Sequence, residues 1–341
     1  MMRYVTIKDI ANALGISKST VSRALSADCR NVSEETIRKV TEAAERMGYM
    51  KNEMAVNLRN SRAKTIGIVV PEAVTSFYLQ FTATVQRILQ PYGYRIILTL
   101  SDEDFMTERS NFEMFENYRV DGILISSCHH RANLAFYDNY LRCTPIVFFD
   151  RTVENLACSS VRSDDYSSAF FLVEHLVYEG YRRILHLAGP DYIRNSADRL
   201  RAYRDVLKKH GIPYRPELVV AAGVDEHDGA EAMSRILDSE VACNAVFCFT
   251  ELQALGAKRV LQERRIRIPD DMAIACMSGT KLSTLVYPAI TAVEQQLDKM
   301  AEEAVRLLLA KIENPQAPSE NVVLPTNMII RDSTGKPEET R

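Results

Sequence analysis

The chain has 341 residues, of which 46% are hydrophobic and 26% charged, a composition typical of globular proteins with buried cores. It begins without an apolar segment ahead of a cleavage site, and no run of about 18 uncharged apolar residues occurs. These features predict a soluble, cytoplasmic protein and argue against a membrane-spanning one. Seven scattered cysteines, an odd number, argue against a disulfide framework.

The net charge of −3 is unevenly distributed along the chain. Residues 1–65 contain 12 Lys and Arg against 7 Asp and Glu, so this segment carries +5 and the remainder carries −8. This asymmetry indicates a polyanionic partner for the N-terminal segment alone.

The N-terminal segment shows helical patterns and no run typical of a strand. The three predicted helices are Ile7–Leu14, Lys18–Leu25 and Glu34–Met47. Gly15 ends the first pattern, and Ser17 can cap the second with its hydroxyl. We therefore predict a small all-α domain over residues 1–50 that contains a helix-turn-helix.

The second predicted helix has an apolar face that packs against the first and an opposite face suited to DNA. That exposed face carries side chains that can donate hydrogen bonds to base edges in a major groove, namely Lys18, Ser19, Ser22 and Arg23. Small donors near helix ends are predicted phosphate contacts: Thr6, Ser17, Thr20, Asn31, Ser33 and Thr36. The alternative is a structural three-helix cap that binds nothing.

Residues 51–64 are polar and rich in Asn and Arg, with a short apolar ridge at helical spacing formed by Met54, Ala55 and Leu58. This composition predicts a linker that becomes helical when it meets a partner.

From residue 65 onward, short apolar runs alternate with amphipathic helical stretches. The predicted strands are Ile66–Val70, Arg95–Leu100, Gly122–Ser126, Ile146–Asp150, Ile184–Ala188, Val219–Ala222, Ala245–Phe249 and Ala273–Met277. Strict alternation predicts doubly wound parallel sheets with helices on both faces. Because residues 65–333 exceed one core, we expect two such α/β subdomains with a ligand cleft between them, and a tail over residues 334–341.

The sequence resembles the lac repressor family of bacterial transcription regulators over almost its whole length. Matching segments of the DNA-binding part are Val5–Ala11, Ser19–Arg23, Val32–Thr36 and Met47–Tyr49. Matching segments of the larger part are Lys64–Pro71, Val120–Leu124, Phe149–Arg151 and His175–Leu176. The resemblance implies a repressor whose operator affinity is controlled by a small molecule.

The resemblance also assigns DNA-contacting roles. It implies that Lys18, Ser19 and Arg23 read bases, and that residues 52–59 form a hinge helix whose Leu58 enters the minor groove. The minor-groove residues implied are Ala55, Leu58 and Arg59. Two residues depart from the family pattern: Lys51 replaces the usual proline, and Val56 replaces a usual arginine or glutamine. These departures affect how readily the hinge folds and leave its position unchanged. Because one three-helix head reads few bases, we expect a homodimer on a pseudo-palindromic site of double-stranded DNA.

For the larger part, the resemblance implies a core of the periplasmic-binding-protein type, in which the chain crosses between subdomains near Ser163, Thr291 and Val322. The implied effector-binding residues are Phe77, Tyr78, Ser126, Asp150, Arg199, Thr250, Ser278 and Gln295. Arg199 can fork two donors onto a ligand, and Asp150 can accept from hydroxyls, which favours a carbohydrate. Alternatively, Asp150 and Arg151 form only an ion pair at a strand end.

Two departures affect the ligand prediction. Thr250-Glu251 replaces the Asn-Asp of sugar-binding members, and Ser278 replaces an Asp that grips the sugar. These changes point to a different ligand, less hydroxylated or anionic, or to an altered pocket. A sugar or sugar acid remains the expected effector.

Other chemistry finds little support in the sequence. His129-His130 has no carboxylate or cysteine at metal-ligand spacing, and Cys243 and Cys248 are interpreted as packing residues. No Gly-rich phosphate loop occurs, so we expect no cofactor, no metal and no enzymatic activity. Two rival classes are a transport-type sugar-binding protein, which needs a signal peptide, and an α/β enzyme with an accessory DNA-binding domain.

Overall fold

The computed structural model describes residues 5–25, 32–49, 63–72, 76–129 and 131–335. The chain divides into two compact units, Met1–Ser61 and Arg62–Arg341. In the part of the chain that the structure describes, every helix is too short or too polar to cross a bilayer.

The N-terminal unit contains three helices around its own small core. They are α1 (Ile7–Leu14), α2 (Lys18–Ala24) and α3 (Glu34–Met47). One fully buried residue from each helix, Ile10, Val21 and Val40, forms the centre of this core. Gly15 and Gly48 end α1 and α3 in the left-handed conformation, with φ of 65° and 68°, which glycine adopts without steric cost. These helices agree with the prediction, apart from α2 ending one residue earlier.

The larger unit contains two six-stranded sheets, with strands numbered along the chain. The first sheet comprises β1 (Thr65–Val70), β2 (Arg95–Leu100), β3 (Gly122–Ile125), β4 (Ile146–Phe149), β5 (Ser159–Ser163) and β11 (Asn321–Leu324). The second comprises β6 (Ile184–Ala188), β7 (Val219–Ala221), β8 (Ala245–Cys248), β9 (Ala273–Cys276), β10 (Thr291–Gln295) and β12 (Thr326–Ile329). Their orders are β11-β5-β4-β3-β1-β2 and β12-β10-β9-β8-β6-β7. All pairs are parallel except β10 with β12.

Helices cover both faces of each sheet. The helices are α4 (Ser76–Leu89), α5 (Phe105–Tyr118), α6 (Leu134–Leu141), α7 (Asp165–Tyr178), α8 (Arg194–Lys209), α9 (Glu226–Leu237), α10 (Glu251–Glu263), α11 (Leu282–Leu285) and α12 (Leu297–Glu313), with 3-10 turns at Gln90–Tyr92 and Pro216–Leu218. The first sheet with α4, α5, α6 and α12 is here called the N-subdomain. The second sheet with α7 to α11 is called the C-subdomain. Each sheet lies between two buried apolar clusters, as expected for doubly wound sheets.

The chain passes between the subdomains three times. It leaves the N-subdomain after Ser163, returns between Gln295 and Leu297, and crosses again between Leu324 and Thr326. The first crossing lies where it was predicted, and the other two lie a few residues beyond Thr291 and Val322. These crossings bring the carboxyl ends of the two sheets to opposite sides of one cleft.

Several details differ from the sequence-based prediction. The strands β5, β10, β11 and β12 were missed because each carries polar residues and lacks a continuous apolar run. Thr334 was assigned to the tail, but its side chain is fully buried and lies 2.7 Å from the Thr291 hydroxyl and 2.8 Å from Nε2 of His175. Residue 334 therefore belongs to the core.

Candidate ligand cleft and nucleic-acid interface

The three residues predicted to read bases share one exposed face of α2. Lys18, Ser19 and Arg23 are exposed, whereas Val21 and Ala24 are buried against the other helices. The Nε of Arg23 donates to the backbone oxygen of Ser19 at 3.3 Å, which keeps this side chain along the helix. The helix therefore presents a cationic, hydroxyl-bearing surface suited to a major groove.

The predicted phosphate contacts lie at helix N-termini. Thr6, Ser17 and Ser33 are the N-caps of α1, α2 and α3, and their hydroxyls accept from the amides of Asp9, Thr20 and Thr36. The hydroxyls of Thr20 and Thr36 lie 2.8 Å from those of their capping serines. Each cap leaves the remaining first-turn amides available to an anion. Asn31 lies outside the described residues.

The predicted minor-groove residues Ala55, Leu58 and Arg59 also lie outside the described residues. Their role in a hinge helix therefore stays a prediction.

A cavity of about 230 Å³ lies in the cleft between the N- and C-subdomains. Seven of the eight predicted effector-binding residues line it: Phe77, Tyr78, Asp150, Arg199, Thr250, Ser278 and Gln295. Ser126 is fully buried outside the lining, and its Oγ lies 3.2 Å from the Tyr78 hydroxyl. Ser126 therefore contacts Tyr78 from outside the cavity instead of lining it.

Asp150 joins the two sides of this cavity. Its Oδ2 accepts a hydrogen bond of 3.0 Å from the Tyr78 hydroxyl, and its Oδ1 accepts one of 3.3 Å from Nε2 of Gln295 in the C-subdomain. Burial raises the pKa of Tyr78 well above its usual value, so its hydroxyl remains a donor. Asp150 has a φ of 54°, a strained conformation for a residue other than glycine and a feature that concentrates at functional sites.

Much of the Arg199 guanidinium fork is occupied by the protein itself. Its Nε and Nη2 donate to the same oxygen of buried Asp165 at 2.9 and 2.6 Å, and its Nη1 donates to the backbone oxygen of Phe249 at 2.5 Å. Three of the five guanidinium N–H groups are thus used, and two remain for a ligand. Burial raises the pKa of Asp165, while the guanidinium opposes that shift.

Arg151 does not form the strand-end ion pair with Asp150 that the sequence allowed. Its Nη1 contacts both carboxylate oxygens of Glu103, at 2.7 and 2.8 Å, and its side chain is only 9% exposed. Both residues line the cavity, and the sequence analysis did not identify Glu103. Glu103 has a φ of 55°, in a turn that follows β2.

The departures at residues 250 and 251 have a structural explanation. Thr250 caps α10, accepting from the amide of Gln253 at 3.1 Å and donating to the Val224 oxygen at 2.7 Å. The buried Glu251 carboxylate accepts hydrogen bonds from the backbone amides and hydroxyls of both Thr280 and Ser283. Glu251 therefore holds the loop that follows β9 against the cavity, and Ser278 begins that loop with a φ of 58°.

Three buried polar atoms of the lining have no hydrogen-bond partner among the described residues: Ser76 Oγ, Asn195 Oδ1 and Gln295 Oε1. Buried polar groups without a partner are rare and unfavourable, so their convergence on one cavity indicates a place for a polar ligand. Sequence reasoning missed Asn195, because a lone Asn near a helix start carries no distinguishing signal.

An open groove of about 690 Å³ adjoins this cavity and shares Thr280 and Gln295 with it. Its polar groups include Thr84 and Asp298, which are hydrogen-bonded to each other at 2.8 Å. The smaller cavity is the better candidate, because it is more enclosed and its lining includes all three residues with unpartnered polar atoms, whereas the groove includes only Gln295.

The other candidate features of the sequence are the histidine pair and the two cysteines. Within the described ranges, no group of three or more His, Cys, Asp or Glu side chains could hold a metal ion, and His130 lies outside those ranges. Cys248 is fully buried in an apolar cluster, and the Sγ of Cys243 lies 3.9 Å from the Met272 sulfur, which agrees with packing roles.

The three-helix unit and the paired-sheet core with its cleft define a class of DNA-binding regulators with a ligand-binding domain. Family models match both parts: "Bacterial regulatory proteins, lacI family" over residues 6–52 and "Periplasmic binding protein-like domain" over residues 173–334. Catabolite control protein A of Priestia megaterium is 30% identical, over 97% of this chain and 99% of that protein. The chain therefore belongs to the lacI family of bacterial regulatory proteins, which are transcription regulators.

Two solved structures extend the comparison. A complex of the transcriptional regulator CelR with cellobiose is 27% identical, covers 96% of this chain and 99% of its own, and has a TM-score of 0.74. The structure of the lac repressor dimer bound to operator and the anti-inducer ONPF is 21% identical to this chain and has a TM-score of 0.86. The match covers 98% of this chain and 100% of the lac repressor chain. The second similarity confirms the predicted fold.

Proposed function

We propose that this chain is a cytoplasmic, homodimeric repressor that binds a pseudo-palindromic operator and changes its operator affinity when a small sugar binds in the cleft. The observation that carries the proposal is a cavity that is lined by residues of both subdomains and contains buried polar atoms without a hydrogen-bond partner among the described residues. A ligand that satisfies Ser76 of the N-subdomain together with Asn195 and Gln295 of the C-subdomain favours one relative position of the subdomains. That preference is what couples a ligand to a distant function.

The size and chemistry of the cavity support a small carbohydrate. Its 230 Å³ lies below the range of about 300–1,000 Å³ for pockets that hold drug-sized ligands, so a monosaccharide-sized molecule fits the available space. Phe77 and Phe249 supply apolar faces, while Asp150 and Arg199 supply an acceptor and donors. The relative with cellobiose bound uses the same fold for a sugar.

The DNA part of the proposal rests on α2. Lys18, Ser19 and Arg23 lie on one exposed face, and three capped helix N-termini lie in the same unit. A single recognition helix reads few bases, so two copies on two half-sites about one helical turn apart give useful specificity.

The test begins with selection of a DNA site from a random pool by the full chain, followed by calorimetric titration of sugars with and without the selected duplex. We expect a site with two-fold symmetry and a sugar whose affinity differs by roughly 5–150-fold between the two titrations. Because coupling is reciprocal, the sugar must change operator affinity by the same factor. A selected site without symmetry, or equal sugar affinities in both titrations, would contradict the proposal.

Asn195→Ala provides a matched variant for this test. The Asn195 side chain makes no hydrogen bond within the described residues, so its removal should cost the fold little. We expect weaker sugar binding and an unchanged affinity for the selected duplex in the absence of sugar. Arg199→Ala is less suitable, because it would leave Asp165 buried without its partner.

A further inference from the structure

The lining of the cleft carries an excess of negative charge. Its charged residues are five carboxylates, Glu72, Glu103, Asp150, Asp225 and Glu251, and two guanidiniums, Arg151 and Arg199. The guanidiniums are both neutralised by protein carboxylates, Arg151 by Glu103 at 2.7 Å and Arg199 by Asp165 at 2.6 Å. An anionic ligand would thus enter a net negative cavity in which each cation is already paired.

The unpartnered atoms of the lining point to the same chemistry independently. Asn195 is only 5% exposed, and its Oδ1 has no hydrogen-bond partner among the described residues. For Gln295, the Nε2 donates to Asp150, which fixes the amide so that the unpartnered atom is the acceptor Oε1. The buried Gln295 acceptor requires a ligand with hydrogen-bond donors, and a carboxylate or phosphate monoester in its ionised state offers mainly acceptors.

We propose that the cleft accepts small polyhydroxylated ligands that are neutral or bear an ammonium group, and that it rejects the carboxylated and phosphorylated forms of the same sugars. This inference rests on the cleft of the proposed function and narrows its ligand. It removes the sugar acid from the two ligand classes expected from the sequence, because both cations among the described residues of the lining are already paired with protein carboxylates.

Asp225 is a specificity-determining residue in this scheme. It lies at the start of α9, where its Oδ1 accepts from the amide of Asp228 at 2.8 Å. Asn caps a helix as well as Asp does, so Asp225→Asn removes one negative charge from the cleft while the cap is kept. The variant therefore separates the charge of the lining from its shape.

The experiment uses the full chain and matched sets of probes, namely glucose, glucosamine, glucuronate and glucose 6-phosphate, and the corresponding galactose and mannose series. Calorimetry at low ionic strength should show that, in the series that binds, the neutral or amino member binds at least tenfold more tightly than both anionic members. Asp225→Asn should raise the ratio of the affinity for the anionic members to that for the neutral member about threefold or more. Because exposed charges are screened by salt, this gain should shrink at high ionic strength.

The outcomes distinguish this inference from the proposed function. A hexuronate or hexose phosphate that binds more tightly than its neutral counterpart would overturn the charge selectivity and leave the regulator role intact. A neutral sugar that binds as predicted but does not alter affinity for the selected duplex would support the selectivity and contradict the proposed regulation. Equal effects of Asp225→Asn on neutral and anionic probes would remove Asp225 from the specificity-determining residues.

Discussion

Arg194 of the C-subdomain donates a hydrogen bond from Nη1 to the hydroxyl of Thr152 in the N-subdomain, at 3.2 Å, and thereby joins the two sides of the cleft. The same side chain places its Nε 3.9 Å from a carboxylate oxygen of Glu154. Nearby, the rings of His129 and Tyr192, also from opposite subdomains, stack with centroids 5.5 Å apart. These contacts stabilise the relative position of the two subdomains that this structure shows.

Arg194→Ala should weaken ligand binding, because it removes a contact that joins the two subdomains across the cleft and that would be lost if the cleft opened. The hydrogen bond and the partly exposed ion pair are worth roughly 0.5–1.5 kcal/mol together, or about a 2- to 10-fold loss of sugar affinity. Calorimetry measures the loss, and small-angle scattering should show a larger radius of gyration without ligand. Arg201→Ala is the control, since Arg201 lies on the same helix and pairs with Asp198 of its own subdomain at 2.9 Å. Equal sugar affinities in the two variants would contradict a closing role.

Glu251→Gln should destabilise the larger unit, although the substitution is nearly isosteric. The carboxylate accepts from two backbone amides and two hydroxyls of the loop after β9, whereas glutamine has one acceptor oxygen and an NH₂ group that faces donors. Buried donors that lose their acceptor cost about 1–3 kcal/mol, which urea unfolding can detect. Glu263→Gln is the matched control on the same helix, because its ion pair with Arg259 is exposed. The idea that Glu251 anchors this loop fails if both variants unfold at the same urea concentration.

The sequence predicted the fold well wherever a strand is buried on both faces. Uniformly apolar strands such as β3, β4 and β8 produce short apolar runs that, alternating with helical stretches, indicate buried parallel strands. The strands at the crossings were not predicted. β5 and β10 end in polar residues near the cleft, and β11 and β12 are edge strands with exposed positions.

The sequence predicted several residues that line the cavity but not the ion pairs that they form with other residues. Three residues that the family resemblance assigned to the effector, Asp150, Ser278 and Gln295, line one cavity in the structure. The resemblance could not show that Arg199 pairs with Asp165, because two side chains 34 positions apart meet only through the packing of α7 against α8. Glu103 was not predicted either, because its contact with Arg151 depends on the geometry of a turn that cannot be inferred from the sequence.

Arg23→Ala should reduce sequence preference more than overall DNA affinity. Arg23 lies on the exposed face of α2, and loss of a bidentate contact to a guanine costs about 1–3 kcal/mol at one position of each half-site. Lys18→Ala should change the preference at a neighbouring base pair. Lys39→Ala is the control, because Lys39 is an exposed lysine of α3 that pairs with Glu35 of the same helix. Binding measured on the selected site and on random DNA decides the matter: equal losses on both would identify Arg23 and Lys18 as phosphate contacts.

His186 occupies an unusual position in the centre of the second sheet. It is fully buried, its Nδ1 lies 3.1 Å from the backbone oxygen of Phe247, and its ring stacks on Phe247 with centroids 4.4 Å apart. Its Nε2 has no partner among the described residues. Burial lowers the pKa of His186 from 6.5 to about 4, and the nearby Arg199 guanidinium acts in the same direction. At neutral pH the ring is therefore uncharged, with Nδ1 donating to Phe247.

The low pKa of His186 predicts a loss of stability in mild acid. Between pH 6.5 and about 4 the unfolded chain binds a proton at this residue that the folded protein excludes, so the free energy of unfolding falls as the pH falls through this window. The largest loss from this residue is about 3 kcal/mol, since each pKa unit corresponds to about 1.4 kcal/mol. His186→Phe keeps an aromatic ring for stacking and removes the titration, whereas other groups such as His175 titrate alike in both proteins. Urea unfolding at several pH values should therefore show the stability of the wild type, relative to the variant, decreasing steadily below pH 6.5. If the free energies of unfolding of the two proteins differed by the same amount at every pH in this window, the pKa of His186 in the folded protein would not be lowered as predicted.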